Sequence, residues 1–135
     1  MIPAFNEEKS IEDVVQRTAK YVDLVVVVDD SSTDDTAELA LRSGATVLRH
    51  PKNMGVGGAM ITGIDYAQKL RPDIVVTLDA DGQHKPEEIP RLICLIVAGK
   101  ADCIVGSRFL QGSLANTSFI KCVGNKFFTF LTNLL

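Results

Sequence analysis

Two aspartates separated by one small residue, Asp79-Ala80-Asp81, end the apolar run Val75 to Leu78, and Gly82 and Gln83 follow at once. In an extended chain residues i and i+2 point to the same side, so both carboxylates can reach one hard divalent cation while Ala80 leaves room for a ligand. The glycine then lets the backbone turn away. Asp-x-Asp-Gly is also ordinary turn chemistry, so its meaning depends on what stands beside it. Two other stretches carry groups of the same kind: Pro3-Ala4-Phe5-Asn6-Glu7-Glu8 near the start, and Asp29-Asp30 behind a run of four valines.

The elements that must hold these groups can be placed in outline. Ser10-Ile11-Glu12-Asp13 has the form of a capping box, and Ile11, Val14, Val15 and Thr18 recur at helical spacing, which predicts a helix to about Tyr21. Leu24 to Val28 reads as a parallel strand buried on both faces. Ser32-Thr33-Asp34-Asp35 is expected to cap a second helix that Gly44 closes, and Ala45 to Leu48 is a short third strand. Asn53-Met54-Gly55-Val56-Gly57-Gly58-Ala59 reads as a glycine-rich loop leading into a helix; its glycines serve either to cradle phosphate on backbone N–H groups or to pack that helix. Asp73 to Leu78 is expected as a fourth strand, Pro86 to about Ala98 as a helix, and Ala101 to Gly106 as a fifth strand. Alternating strands and helices imply an α/β fold with a doubly wound, mainly parallel sheet, whose ligands bind beyond the carboxyl ends of the strands. Pro3 to Glu7, Asp29-Asp30 and Asp79 to Asp81 all stand there, so they are expected to converge on one cleft. So many acidic groups would repel one another unless a divalent cation, bridged to an anionic diphosphate, neutralised them.

Composition limits the partners. A chain of 135 residues, 46% hydrophobic and 23% charged, suits one domain with a sizeable core. A net charge of −3 without a Lys/Arg run argues against nucleic acid as a partner. Cys94, Cys103 and Cys122 form no CxxC pair, which suits a reducing compartment and three buried apolar thiols. No signal peptide and no uncharged apolar run of membrane-spanning length is evident.

The segments PAFNEE, VVVVDDSSTDD, NMGVGGA, LDADGQH and ADCIVGSRF, in this order and spacing, resemble glycosyltransferase family 2 with its GT-A fold, and most closely its dolichol-phosphate mannose synthase and polyprenyl-phosphate glycosyltransferase branch. The resemblance implies a glycosyltransferase that takes a GDP- or UDP-sugar and passes the sugar to a polyprenyl or dolichyl phosphate. By position, Pro3, Ala4, Phe5 and Glu7 would line the nucleotide pocket, Val27 and Asp29 would hold the base, and Ala80 would lie against the donor. Asp79, Asp81 and Gln83 would surround Mg²⁺ or Mn²⁺, and Arg108 would face the diphosphate, stabilising with the metal the charge that builds on the leaving group. The resemblance identifies no base to activate the acceptor. Lys121 stands where relatives often carry an arginine, losing the bidentate fork. Similar proteins extend at both ends, so the chain is expected to open inside a central strand, to bind donor, and to transfer poorly alone.

From Thr117 to Leu135 the residues Ile120, Val123, Phe127, Phe130, Leu131 and Leu134 form one helical stripe interrupted by Lys121 and Lys126. This predicts a donor-binding domain over residues 1–116 and an amphipathic helix over 117–135 lying on the cytoplasmic face of a membrane. Competing readings are a Mg²⁺-binding phospho-receiver, which would need a lysine where Gly106-Ser107-Arg108 stands, and a dehalogenase-type phosphatase, which would need a threonine at Gln83. A sugar-nucleotide nucleotidyltransferase would open with a basic glycine-rich loop.

Overall fold

The computed structural model describes residues 1–106. The chain divides into two units, Met1–Asp102 and Cys103–Leu135, and the elements below belong to the first. In chain order they are β1 (Ile2–Ala4), α1 (Ile11–Thr18), β2 (Val26–Asp29), α2 (Thr36–Arg42), β3 (Thr46–Arg49), α3 (Gly55–Leu70), a single 3₁₀ turn (Pro86–Glu88) and α4 (Ile89–Val97).

The three strands are parallel in the order β1-β2-β3, with Ile2 opposite Val27 and Val27 opposite Val47. The sheet continues beyond β1 by one rung. Met1 N donates to Val76 O at 2.7 Å, and Leu78 N–H donates to Met1 O at 3.1 Å, the two bonds that make a parallel bridge between Met1 and Thr77. The expected fourth strand over residues 73–78 is therefore one bridge rather than a ladder, but it occupies the expected place. The resulting order, β3-β2-β1 and then the 73–78 segment, is that of a doubly wound sheet, and the chain reverses its direction of travel between β1 and that segment. Residues 101–106 form no strand among the described residues.

The helices cover the sheet as their apolar faces dictate. Ile11, Val14 and Val15 of α1 join Ile2, Ala4, Val25, Val27 and Ala40 in the core, with Leu78, Ala80 and Ile89. The other face meets α3, where Gly63 lies so close that a Cβ there would stand 3.3 Å from Val28 Cγ2 and would collide with the Met1 side chain. Gly55, Gly57 and Gly58 form the first turn of α3 rather than a loop before it, and a Cβ at Gly55 or Gly57 would meet nothing within 4 Å.

Several local expectations are corrected. Ser10 does not cap α1; its hydroxyl lies 3.0 Å from Glu7 Oε2, and Asp13 is taken by Arg17. The helix stops at Thr18 because the next residues tighten into i→i+3 bonds, Lys20 N to Arg17 O and Tyr21 N to Thr18 O. β2 begins two residues later than expected and runs through Asp29. α2 does end as predicted, in a Schellman motif: Gly44 has φ 92°, Gly44 N–H reaches Leu41 O at 3.0 Å and Ala45 N–H reaches Ala40 O at 3.1 Å. Cys94 and Cys103 are exposed, not buried. The predicted boundary at residue 116, Cys122 and the helix over 117–135 lie outside the described residues.

Candidate functional site

The two loops that follow β1 and β2 are laced together before any ligand is considered. Three consecutive amides of the Pro3–Glu8 stretch donate to side chains of the Ser32–Thr36 stretch. Asn6 N–H reaches Ser32 Oγ at 2.9 Å, Glu7 N–H reaches Thr36 Oγ1 at 2.8 Å, and Glu8 N–H reaches Asp34 Oδ2 at 3.2 Å. Thr33 N–H answers by donating to Asn6 Oδ1 at 2.9 Å. Ser32, Thr33 and Asp34 were expected to cap α2. They spend most of their oxygen atoms on the first loop instead, and only the Asp34 bond to Thr36 N–H, 3.1 Å, serves the helix start. Burial alone would raise the Asp34 pKa, but the Thr36 hydroxyl and the amides around it outweigh burial and hold the carboxyl below its ordinary range. Asn6 and Ser31 turn these loops in the left-handed region, with φ 55° and 66°.

A cavity of about 260 Å³ lies past the carboxyl ends of β1 and the 73–78 segment, at the point where the sheet reverses. Pro3, Ala4, Phe5 and Glu7 line it from β1; Asp79, Ala80 and Asp81 line it from the opposite side; Asp30, with Val56 and Ala59 of α3, closes the back. Eight of the residues singled out in the sequence thus stand around one space. Among the described residues lining it none is basic and four are acidic.

Val27 and Asp29 do not reach this cavity. Val27 is wholly in the core, and Asp29 is wholly enclosed, with Arg49 Nε 3.1 Å from Oδ2 and Ser32 N–H 3.2 Å from Oδ1. The acidic wall residue is Asp30. Alternation along β2 separates the two: Val27 and Asp29 share the face toward α1 and α2, whereas Val28, against Gly63 of α3, shares its face with Asp30. Because β2 is buried on both faces, no polar alternation in the valine run marked which aspartate would look into the site. Burial alone would raise the Asp30 pKa. The Met54 N–H, the His50 imidazole and the Gly55 amide outweigh it and keep the carboxyl below the ordinary range.

On the opposite wall the chain turns at Gly82, φ 73°, and Asp81 Oδ1 accepts the Gln83 N–H at 2.9 Å, an Asx turn that fixes where Asp81 points. His84, not singled out from the sequence, accepts the Asp79 N–H on Nδ1 at 3.1 Å and places Nε2 3.6 Å from Asp79 Oδ2. Arg17 and Glu87 hold the end of this turn against α1 through two 2.8 Å bonds. Among the described residues no three His, Cys, Asp or Glu side chains form a closed cation cage. Two carboxylates on one open wall are nonetheless a donor set that fits Mg²⁺ or Mn²⁺, since such ions are commonly held by one or two carboxylates and complete their shell with water and substrate phosphate. Arg108 lies outside the described residues.

Comparison with known proteins agrees with this geometry. A family model described as glycosyl transferase family 2 matches residues 1–121. The UDP-N-acetylglucosamine–dolichyl-phosphate N-acetylglucosaminyltransferase of Methanococcus voltae is 36% identical over 154 aligned positions, covering 100% of this chain and 61% of that protein. The dolichol-phosphate mannosyltransferase of Pyrococcus furiosus is 37% identical over 83% of this chain and 33% of its own. Among solved structures, glucosyl-3-phosphoglycerate synthase from Mycobacterium tuberculosis, in complex with Mn²⁺, UDP-glucose and phosphoglyceric acid, superposes with a TM-score of 0.63 at 33% identity. That match covers 73% of this chain and 38% of the other. A Mg²⁺ and UDP complex of the same enzyme gives a TM-score of 0.60. The chain spans about three fifths of the length of the first curated relatives it matches.

Proposed function

This chain belongs to glycosyl transferase family 2 and has the α/β, parallel-sheet architecture of the GT-A enzymes, and from that premise we propose that residues 1–116 are the donor-binding part of a metal-dependent glycosyltransferase. The donor is a nucleoside-diphosphate sugar and the acceptor a polyprenyl phosphate. One observation carries the reading: the Pro3–Glu7 and Asp79–Asp81 stretches, far apart in sequence, line one acidic cavity at the switch point of the sheet. A cavity walled by four carboxylates has no use for a bare anion, but it can hold a diphosphate that arrives with a cation.

Asp79 and Asp81 would hold Mg²⁺ or Mn²⁺, with Gln83 beside them, and the ion when bound would neutralise charge on the departing nucleoside diphosphate. Pro3, Ala4 and Phe5 give the nucleotide an apolar floor, and Glu7 a hydroxyl acceptor at its rim. Asp30 takes the base-facing place that the sequence reading gave to Asp29. Arg108 is assigned to the diphosphate on the resemblance. The names of the relatives from Methanococcus voltae and Pyrococcus furiosus support a dolichyl or polyprenyl phosphate as acceptor. The lysine-bearing apolar stripe over 117–135 supports attachment to the cytoplasmic surface of a membrane, while among the described residues no helix is long and apolar enough to cross one.

Calorimetric titration of the chain with GDP, UDP and their sugar conjugates tests the reading, in Mn²⁺ and in EDTA. Binding that requires the metal is expected. Equal affinity in both conditions, or none in either, refutes it.

A further inference from the structure

His50, the residue after β3, is 8% exposed, and three elements meet on it or beside it. Its Nδ1 lies 2.7 Å from Asp30 Oδ1 at the end of β2, and its Nε2 lies 2.9 Å from Thr62 Oγ1 in α3. The amide of Met54, at the start of α3, donates to the same Asp30 Oδ1 at 2.8 Å. An ionised carboxylate only accepts hydrogen bonds, so Nδ1 carries a proton and the ring is fixed in that form by its partner. Both bonds fall on Oδ1, the Gly55 amide is a further donor to the carboxylate, and Asp30 lines the candidate cavity.

We propose that His50 is a positioning residue for nucleotide selection: by clamping one oxygen of Asp30 it aims the other at the base, where it selects a ring N–H and rejects a ring nitrogen that can only accept. The imide of uracil and the lactam of guanine present such an N–H; the corresponding nitrogen of cytosine is an acceptor and would face a fixed acceptor. The selection comes from an unpaired buried polar contact with the wrong base, which costs more than the right contact gains. This rests on the nucleotide-binding reading above.

The test uses the whole chain in Mn²⁺ with UDP, GDP and CDP, each variant's affinity being read beside its thermal midpoint. His50→Asn puts an amide N–H where Nδ1 stood, whereas His50→Gln puts one where Nε2 stood and leaves Oδ1 with the Met54 amide alone. The parent is expected to prefer UDP or GDP to CDP, and His50→Asn to keep that preference. His50→Gln and Asp30→Asn are expected to weaken the preferred ligand by roughly ten-fold or more and to erase the preference. If His50→Gln does not fold, Thr62→Val serves in its place: it frees the far side of the ring, and a fall of about three-fold in preference supports the proposal while an unchanged preference overturns it. His50→Gln binding and discriminating like the parent overturns it, and so do equal losses in the Asn and Gln variants that follow their midpoints. A parent that binds none of the three diphosphates overturns the nucleotide reading itself, and the selection role with it.

Discussion

Replacing Thr36 by valine exchanges one hydroxyl for one methyl in a side chain that has no exposed surface. The hydroxyl has two partners: it accepts the Glu7 N–H at 2.8 Å and donates to Asp34 Oδ1. Valine leaves the Glu7 amide without its partner in a half-buried loop and removes one donor from an ionised carboxylate that keeps the Thr36 and Glu8 amides, at 3.1 and 3.2 Å. A lost neutral bond with an unsatisfied amide, plus a weakened bond to a charged group, costs about 3 kcal/mol. For a chain of this size that corresponds to roughly 12 °C in thermal midpoint. Thr36→Ser is the control, since it keeps the hydroxyl and loses a buried methyl worth about 1 kcal/mol. Urea unfolding of parent and both variants, read as midpoints at equal slope, measures the difference. A valine variant within about 1 kcal/mol of the parent, or a serine variant less stable than the valine one, would show that the lacing between the two loops does not hold them. With the Glu7 amide released, metal-dependent nucleotide affinity should fall as well.

Asp79→Asn and Asp81→Asn should each weaken Mn²⁺-dependent binding of a nucleoside diphosphate by roughly ten-fold or more, measured by calorimetry, with little change in midpoint because both side chains stand at an open wall. Acid should destabilise the fold in a defined window. Hydrogen bonding to Arg17 lowers Glu87 to about 2, and Asp30 and Asp34 are also lowered in the folded state. Groups whose folded pKa lies below the unfolded value contribute stability above the unfolded pKa and lose it as pH falls through the folded one, so urea midpoints should drop as pH falls from 4.5 toward about 2. Glu87→Gln should flatten part of that drop, and a midpoint that rises on acidification would contradict it. Ser31→Gly should stabilise by about 0.5–1 kcal/mol, because a left-handed backbone strains an L side chain. Asn6→Gly, at a similar φ, should destabilise, because it removes the acceptor for Thr33 N–H.

The apolar periodicities and the acidic ends of the runs placed the first three strands, the helices between them and the convergence of the Pro3–Glu7 and Asp79–Asp81 stretches, because those features follow from burial on a parallel sheet, whereas residues 101–106 form no strand. What could not be seen was the partner of each polar side chain. Ser10 and the Ser32–Asp34 stretch have the residue types of helix caps, and only three dimensions show that a neighbouring loop claims them. The glycines at 55, 57 and 58 read as a loop before a helix, and they stand in its first turn because a run of small residues does not mark where a helix begins. Asp30 was visible as one of two adjacent aspartates, but a strand enclosed on both faces gives no alternation by which to choose between them. His50 and His84 carried no local signal at all: each matters through a carboxylate on a different turn or strand.

The pairing at the end of β2 also bears on how the strand finds its alignment. Val25 to Val28 are four identical side chains, and a shift of one residue against β1 and β3 would bury valine on both faces as well as the native pairing does. The run is therefore degenerate, and packing energy hardly distinguishes one alignment from the next. The two aspartates break the tie. In the native alignment Asp29 meets Arg49 and the Ser32 amide while Asp30 meets His50 and the Met54 amide. Slipped by one, each carboxylate would exchange faces and be enclosed without those donors, at a cost far above any difference among valines. Asp30, at the back of the cavity, thus also acts with Asp29 as the key that sets the strand, so a strand that has slipped is at once misfolded and unable to present Asp30.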